Sequence, residues 1–171
     1  MAALGQSYIP STMESVRVNV PVFSRLVTFN LWDVQLIQCR PDDFNRLLWA
    51  NYAKSSVVII CFAIDTPSSL ESVEDRWIEQ IKEFATHKDG WKPPVMLVGC
   101  KKDIRAELQE LKKMQKSRVT ECVSVDQGQE MAKRIDAAIY LECSAKTGEG
   151  VDDVLQHAAR LALLAKGPTS N

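Results

Sequence analysis

The 171-residue chain reads as an α/β fold, an open and mostly parallel sheet flanked by helices. Three observations carry that expectation. Residues 57–62 and 94–99 are almost continuously apolar, as strands covered on both faces must be. Segments of helical periodicity lie between and after these runs. Strands that alternate with helices build parallel sheets, and this length suits one domain, residues 1–171.

The elements follow in order. Val16, Val18, Val20 and Val22 alternate with other residues, the period of a half-buried strand. Residues 25–33 repeat the pattern with Leu26, Val27, Phe29 and Leu31, and the short link between the two predicts a hairpin. Residues 33–43 are irregular, and 44–54 suit a short helix. After the strand at 57–62, Pro67 opens a helix near its first turn. That helix runs to about residue 86, with Leu70, Val73, Trp77, Ile81 and Phe84 on one face. Asp89 and Gly90 form a turn before the strand at 94–99. A charged, exposed helix is expected from residue 105 to 116 and another helix over 125–135, with Gly128 in its first turn. Residues 138–141 form the last strand. The final helix, 149–165, turns Val151, Val154, Leu155, Ala158, Leu161 and Leu164 inward, and 166–171 is a tail.

Composition narrows the functional classes. A net charge of -1 gives no electrostatic case for nucleic acid or an anionic membrane. No apolar stretch approaches the ~18 residues of a membrane span, and no signal peptide opens the chain. The C-terminus has neither a prenylation cysteine nor a basic run. A cytoplasmic monomer without an intrinsic membrane anchor is expected. Of five cysteines, Cys61, Cys100 and Cys143 end or interrupt apolar runs without metal-ligand spacing. They read as buried, reduced thiols. Trp32, Trp49 and Trp77 are expected to pack on or rim the sheet, His87 and His157 to lie at the surface, and Lys112, Lys113 and Lys116 to form a solvated helix face.

Ligands of open α/β sheets bind at the carboxyl ends of the strands, where two motifs fall. Lys101 and Asp103 directly follow one buried strand. An aspartate there can accept two parallel hydrogen bonds from adjacent donors, as guanine's N1–H and exocyclic amine offer. The lysine stem can cover a planar base while its ammonium stays wet. Ser144, Ala145 and Lys146 follow the next strand, where a small residue lets its backbone N–H approach a base carbonyl. Either motif alone also suits a solvated turn. Two on neighbouring strands form a joint signal.

With these motifs the chain resembles the Ras superfamily of small GTPases, and within it the Rho subfamily. The resemblance spans residues 8 to about 164. It includes Tyr8-Ile9-Pro10, Leu31-Trp32-Asp33, Asp43-Phe44-Asn45-Arg46-Leu47 and Ala63-Ile64-Asp65. It continues through Leu97-Val98-Gly99-Cys100-Lys101-Lys102-Asp103 and Cys143-Ser144-Ala145-Lys146. The resemblance implies a P-loop-NTPase-like small G domain that binds GTP or GDP with Mg2+ and meets Rho-type effectors and regulators. It implies guanine contacts from Cys100, Lys101, Asp103, Ser144, Ala145 and Lys146, with Ala145 donating to the base oxygen. It places Ser11, Thr12 and Asp33 at the metal. Tyr8, Pro10, Phe44, Arg46 and Leu47 fall on the switch surface, and residues 105–120 match a Rho-like insert helix.

Three departures qualify the activity. Cys100 stands where the family most often has Asn or Thr, and cysteine is the weaker hydrogen-bond former. The family opens with a strand, a Gly-x-x-x-x-Gly-Lys-Ser/Thr loop and a helix. Here that unit, and with it the phosphate cradle, is lacking, so the domain is expected to be incomplete at its N-terminus. The strands at 25–33 and 57–62 would lose a shared neighbour, and either pair directly or leave a chain poorly stable alone. Finally, the family's Asp-Thr-Ala-Gly-Gln-Glu segment is replaced after Asp33, leaving no glycine there, and the hydrolytic Gln has no assigned equivalent. Impaired or absent hydrolysis is expected. The alternatives are a pseudo-GTPase acting as a protein-interaction module, and a fragment from an incomplete gene model.

Overall fold

The computed structural model describes residues 13–34, 52, 54–84, 90–113 and 122–165. The helix expected at 44–54 lies outside them save for Tyr52 and Lys54. The tail at 166–171 and the second half of the expected insert also lie outside.

The first two strands, β1 (Met13–Val22) and β2 (Arg25–Val34), form the expected hairpin, with Val18 opposite Phe29 and Val20 opposite Val27. Alternation sets their faces. Val20 and Val22 are buried and Leu26, on the opposite face, is exposed. Val16 shares the face of Val20 and Val22 but is exposed, six residues from Val22 along β1. Three parallel strands form a second sheet in the order β3 (Val58–Ala63), β4 (Val95–Cys100), β5 (Ile139–Glu142). Val58 pairs with Val95, and Met96 with Ile139.

Helices supply the crossovers. Between β3 and β4 run α1 (Pro67–Ser72), a π-helical segment (Val73–Trp77) and α2 (Ile78–Phe84). Between β4 and β5 come α3 (Asp103–Lys113) and α4 (Val125–Arg134). The last helix is α5 (Val151–Leu164). Ser124 and Gln127 close a reciprocal capping box at the start of α4.

Two apolar layers cover the parallel sheet. Ile60, Phe62, Ile64 and Leu97 pack with Leu70, Val73, Ile78 and Met131 on one face. Met96 and Val98 meet Val154 and Ala158 of α5 on the other. A neighbouring stripe of α5, Leu155 and Ala159, packs against Val20 and Val22 of the hairpin. Thus α5 is shared between the parallel sheet and the hairpin.

Four expectations need correction. The single mixed sheet is two sheets: among the described residues no ladder joins β2 to β3. The two strands do not pair directly. The hairpin is held instead by burying Val20 and Val22 on α5. The first long helix is not regular. Its π-helical turn shifts the inward face by one residue, so Ile78 is buried and Trp77 only half-buried. The charged helix starts at Asp103 rather than residue 105. The cysteines are not buried: Cys61 is exposed, and Cys100 and Cys143 are half-buried. Cys61 sits on β3, which has a described neighbour on one side only. Trp32, at 51% exposure, rims rather than packs.

One close approach ties α4 to the sheet. A Cβ on Gly128 would lie 2.2 Å from Cζ of Tyr140. The ring cannot easily yield, because it stacks on Phe62 with centroids 6.2 Å apart.

Candidate functional site

Three loops leave the carboxyl ends of β3, β4 and β5, and the residues singled out in the sequence gather on the last two. The backbone ladder extends past the strands. Ile64 N–H donates to the Cys100 carbonyl, Cys143 N–H to the Gly99 carbonyl, and Lys102 N–H to the Cys143 carbonyl, at 2.9–3.0 Å. Lys101 takes a left-handed φ of 64°, which turns the chain out of β4 and into α3.

Asp103, the first residue of α3, joins the two loops. Ser144 is fully buried, and its Oγ–H donates to Asp103 Oδ1 at 2.5 Å. The same Oγ accepts from Thr147 N–H at 3.2 Å. Ser144 N–H donates to the Glu149 carbonyl, and Gly148 N–H to the Ser144 carbonyl. Asp103 Oδ2 has Lys146 Nζ at 3.9 Å, and its side chain is 11% exposed. One carboxylate oxygen is thus committed to the loop brace, and among the described residues the other faces the Lys146 ammonium at 3.9 Å. Ala145 is exposed.

Ion pairs hold the surroundings. Lys101 Nζ donates to both carboxylate oxygens of Asp65, at 2.8 and 3.0 Å. Its ammonium is docked on Asp65, and the side chain stays 51% exposed. The hydrogen bond from Lys101 holds the Asp65 carboxyl below its ordinary range. Lys102 pairs with Glu149 and Lys146 with Glu107, each at 2.5 Å. Both pairs are exposed, where such contacts contribute little.

A half-buried network lies behind the loops. Arg105 forks onto Glu142 at 2.5 and 2.7 Å and donates to the Val123 carbonyl at 2.7 Å. Tyr140 O–H donates to Glu142 Oε1. Burial alone would raise the Glu142 carboxyl. The bonds from Arg105 and Tyr140 outweigh it and hold the group below its usual value. A depressed carboxylate stabilises the fold above its unfolded pKa, about 4.3 for glutamate, and that contribution is lost as pH falls through the lower folded value. Glu142→Gln should therefore flatten the acid limb of a thermal-stability profile below about pH 4.3. Melting curves across pH check this; an unchanged slope would refute the assignment.

Of the residues expected at the metal, Asp33 is exposed on β2, and its charge acts on the Cys61 thiol. Ser11 and Thr12 lie outside the described residues, as do Tyr8, Pro10, Phe44, Arg46 and Leu47. A cavity of about 450 Å³ opens beside β3, lined by Cys61, Ser69, Arg76, Trp77 and Cys100. It shares only Cys100 with the paired loops.

Asp65, Arg105 and Glu142 were given no site role from sequence. Asp65 had a signal, since it follows a buried strand at its carboxyl end. The Arg105–Glu142 pair had none, because 37 residues separate its members.

A family model described as Ras family matches residues 3–164. The chain is 38% identical over 159 residues to GTP-binding protein RHO1 of Candida albicans, covering 93% of this chain and 75% of that protein. It is 36% identical over 163 residues to GTP-binding protein rho5 of Schizosaccharomyces pombe, covering 95% and 76%. It is 37% identical over 163 residues to GTP-binding protein RHO1 of Saccharomyces cerevisiae, covering 95% and 73%.

Proposed function

The chain belongs to the Ras family as a Rho-like small GTPase, and from that premise we propose that it holds guanine nucleotide chiefly by the base, with impaired hydrolysis. The observation that carries this reading is the Ser144–Asp103 bond at 2.5 Å. It fixes a carboxylate at the end of β4 with its second oxygen unspent. That oxygen, with the remaining lone pair of its neighbour, suits the two adjacent donors of guanine. Ala145 N–H would donate to the base oxygen. Lys101, anchored by Asp65, would lay its stem on the ring, and Ser144 and Lys146 would keep the loop in place. Cys100 offers only a weak thiol where the family's Asn or Thr stands.

The phosphate end is supported less. No Gly-x-x-x-x-Gly-Lys-Ser/Thr pattern occurs among the 171 residues, and none of the nine residues after Asp33 is a glycine. Phosphates carry most of a nucleotide's charge, so contacts to the base alone imply weak binding. Asp33, through water, and the hydroxyl of Ser11 or Thr12 would meet the magnesium that accompanies the phosphates. Rho-type effectors and regulators are the proposed partners, in the cytoplasm.

The absent phosphate-loop pattern also favours a second reading, a pseudo-GTPase that binds proteins without cycling nucleotide. Titration with fluorescent GDP separates the two. Saturable binding at micromolar concentration, displaced by GTP but not ATP and little changed by magnesium, supports the first. No saturable binding leaves the second.

A further inference from the structure

The paired loops carry three lysines, and a carboxylate meets each of them. Lys101 Nζ lies 2.8 Å from Asp65, Lys102 Nζ 2.5 Å from Glu149 and Lys146 Nζ 2.5 Å from Glu107. The backbone builds the first of these pairs. Ile64 N–H donates to the Cys100 carbonyl, which carries the β3–β4 ladder past the strands and brings Asp65 to Lys101. Ser69 Oγ accepts from Ala63 N–H and donates to the Thr66 carbonyl, bracing the turn that holds Asp65. Thr66 Oγ1–H donates to Asp65 Oδ1 at 3.1 Å. Lys101 reaches that carboxylate from a left-handed φ of 64°. Pairing keeps the partners charged: Lys101 holds Asp65 below its ordinary range, and Glu107 raises Lys146.

With Asp103, four carboxylates face three ammoniums, so these loops carry one negative charge in excess. Arg105 and Glu142 behind them cancel, and Asp152 and Asp153 open α5 beyond the last loop. Among the described residues, a phosphate brought to these loops meets no unpaired ammonium and a field of its own sign. Guanine is uncharged. Its two donors need the Asp103 carboxylate, its oxygen the Ala145 N–H, and its face the stem of Lys101. Pairing the ammoniums spends none of these.

We infer that the paired loops bind guanine without help from phosphate, so that guanosine is at least as good a ligand as GDP, and that Asp65 sets this preference as a positioning residue. The inference rests on the base reading proposed above and names the class of ligand that site takes. An unpaired lysine is a flexible point charge and turns to the most negative group in reach, which in a nucleotide is the phosphate. Docked on Asp65, Lys101 offers its stem to the ring and no net charge to the tail.

Calorimetric titration of the full chain with guanosine, GMP, GDP and GTP, magnesium present, tests this, with adenosine as the control for the base. Guanosine should bind at least as tightly as GDP, and adenosine should not bind. Added salt should leave guanosine unchanged and should not weaken GDP, because it screens repulsion; a phosphate cradle would show the reverse. Asp65→Asn, checked for folding by its melting curve, frees the Lys101 ammonium. Guanosine should then weaken by up to about fivefold, the worth of an exposed ion pair, and the ratio of GDP to guanosine affinity should rise above the wild-type value. The wild-type series decides even where that variant does not fold. Affinity that climbs with each added phosphate in the wild type, or a ratio unchanged in folded Asp65→Asn, overturns the proposal but spares the base reading. Binding of none of the four overturns both.

Discussion

Gly150→Ala should cost about 3 kcal/mol of stability, a large loss for a single methyl group. Gly150 precedes α5 with a φ of 74°, a left-handed conformation that costs an L-residue about 1–2 kcal/mol. A Cβ there would also lie 2.4 Å from the Glu142 carbonyl oxygen. That oxygen belongs to the backbone at the end of β5, so no side chain can rotate away to relieve the overlap. Either α5 or the strand must move, and α5 is the helix that both sheets share. Overpacking of this kind adds about 1–3 kcal/mol. At this chain length the sum corresponds to a melting-point drop of roughly 6–12 °C. Gly148 is the internal control. Its φ is 82°, yet nothing lies within 4 Å of the added carbon. Gly148→Ala should then show the conformational cost alone, about 1 kcal/mol and roughly 2–4 °C. Differential scanning fluorimetry of the two variants decides the matter; equal losses would mean that the contact with Glu142 carries no weight.

Those two glycines follow the Ser144–Lys146 motif, and the sequence predicts a helix from residue 149 where the structure starts it at Val151. What the sequence conveyed was local. The apolar runs at 57–62 and 94–99 placed the parallel strands correctly, because a strand covered on both faces cannot afford polar side chains. The period-2 valines of β1 and the 3.6-residue stripe of α5 were visible too, though not their ends: Val16 and Leu164, expected on the inward faces, are exposed. The positions of Lys101, Asp103 and Ser144 at strand ends followed from the same pattern. What could not be seen was pairing between distant segments. Nothing local distinguishes a hairpin that joins the parallel sheet from one that rests on α5, since Val20 and Val22 look the same in both cases. The π-helical turn leaves the composition of residues 67–84 unchanged while moving the buried face from Trp77 to Ile78. The docking of Lys101 on Asp65 and the Arg105–Glu142 fork depend on register across strands, which no short window contains. Cys61 looked buried because its neighbours in sequence are; its exposure depends on which strand lies beside β3.

Asp103→Asn should abolish guanine binding while leaving the fold nearly intact. An amide keeps one acceptor oxygen, so Ser144 Oγ–H can still donate across the 2.5 Å contact that joins the loops. A change in stability of about 1 kcal/mol or less is therefore expected, the worth of one hydrogen bond weakened from charged to neutral. Guanine fares differently. Its N1–H and exocyclic amine are both donors, and an amide turns a donor of its own toward one of them. One charge-assisted bond becomes a donor–donor contact and the other becomes neutral, a combined loss of about 4 kcal/mol. That is roughly a thousandfold in affinity, enough to take micromolar binding beyond measurement. Xanthine presents an N1–H donor beside a carbonyl acceptor, the complement of an amide, so xanthosine diphosphate should bind the variant better than GDP does. Titrations of both nucleotides into wild type and variant, with melting curves as the check on folding, test the exchange. A folded variant that binds GDP as well as wild type would remove Asp103 from the base. A variant that loses GDP and gains xanthosine diphosphate would locate the purine at the Asp103 carboxylate whatever holds the phosphates, because only contact at that atom pair reverses the preference.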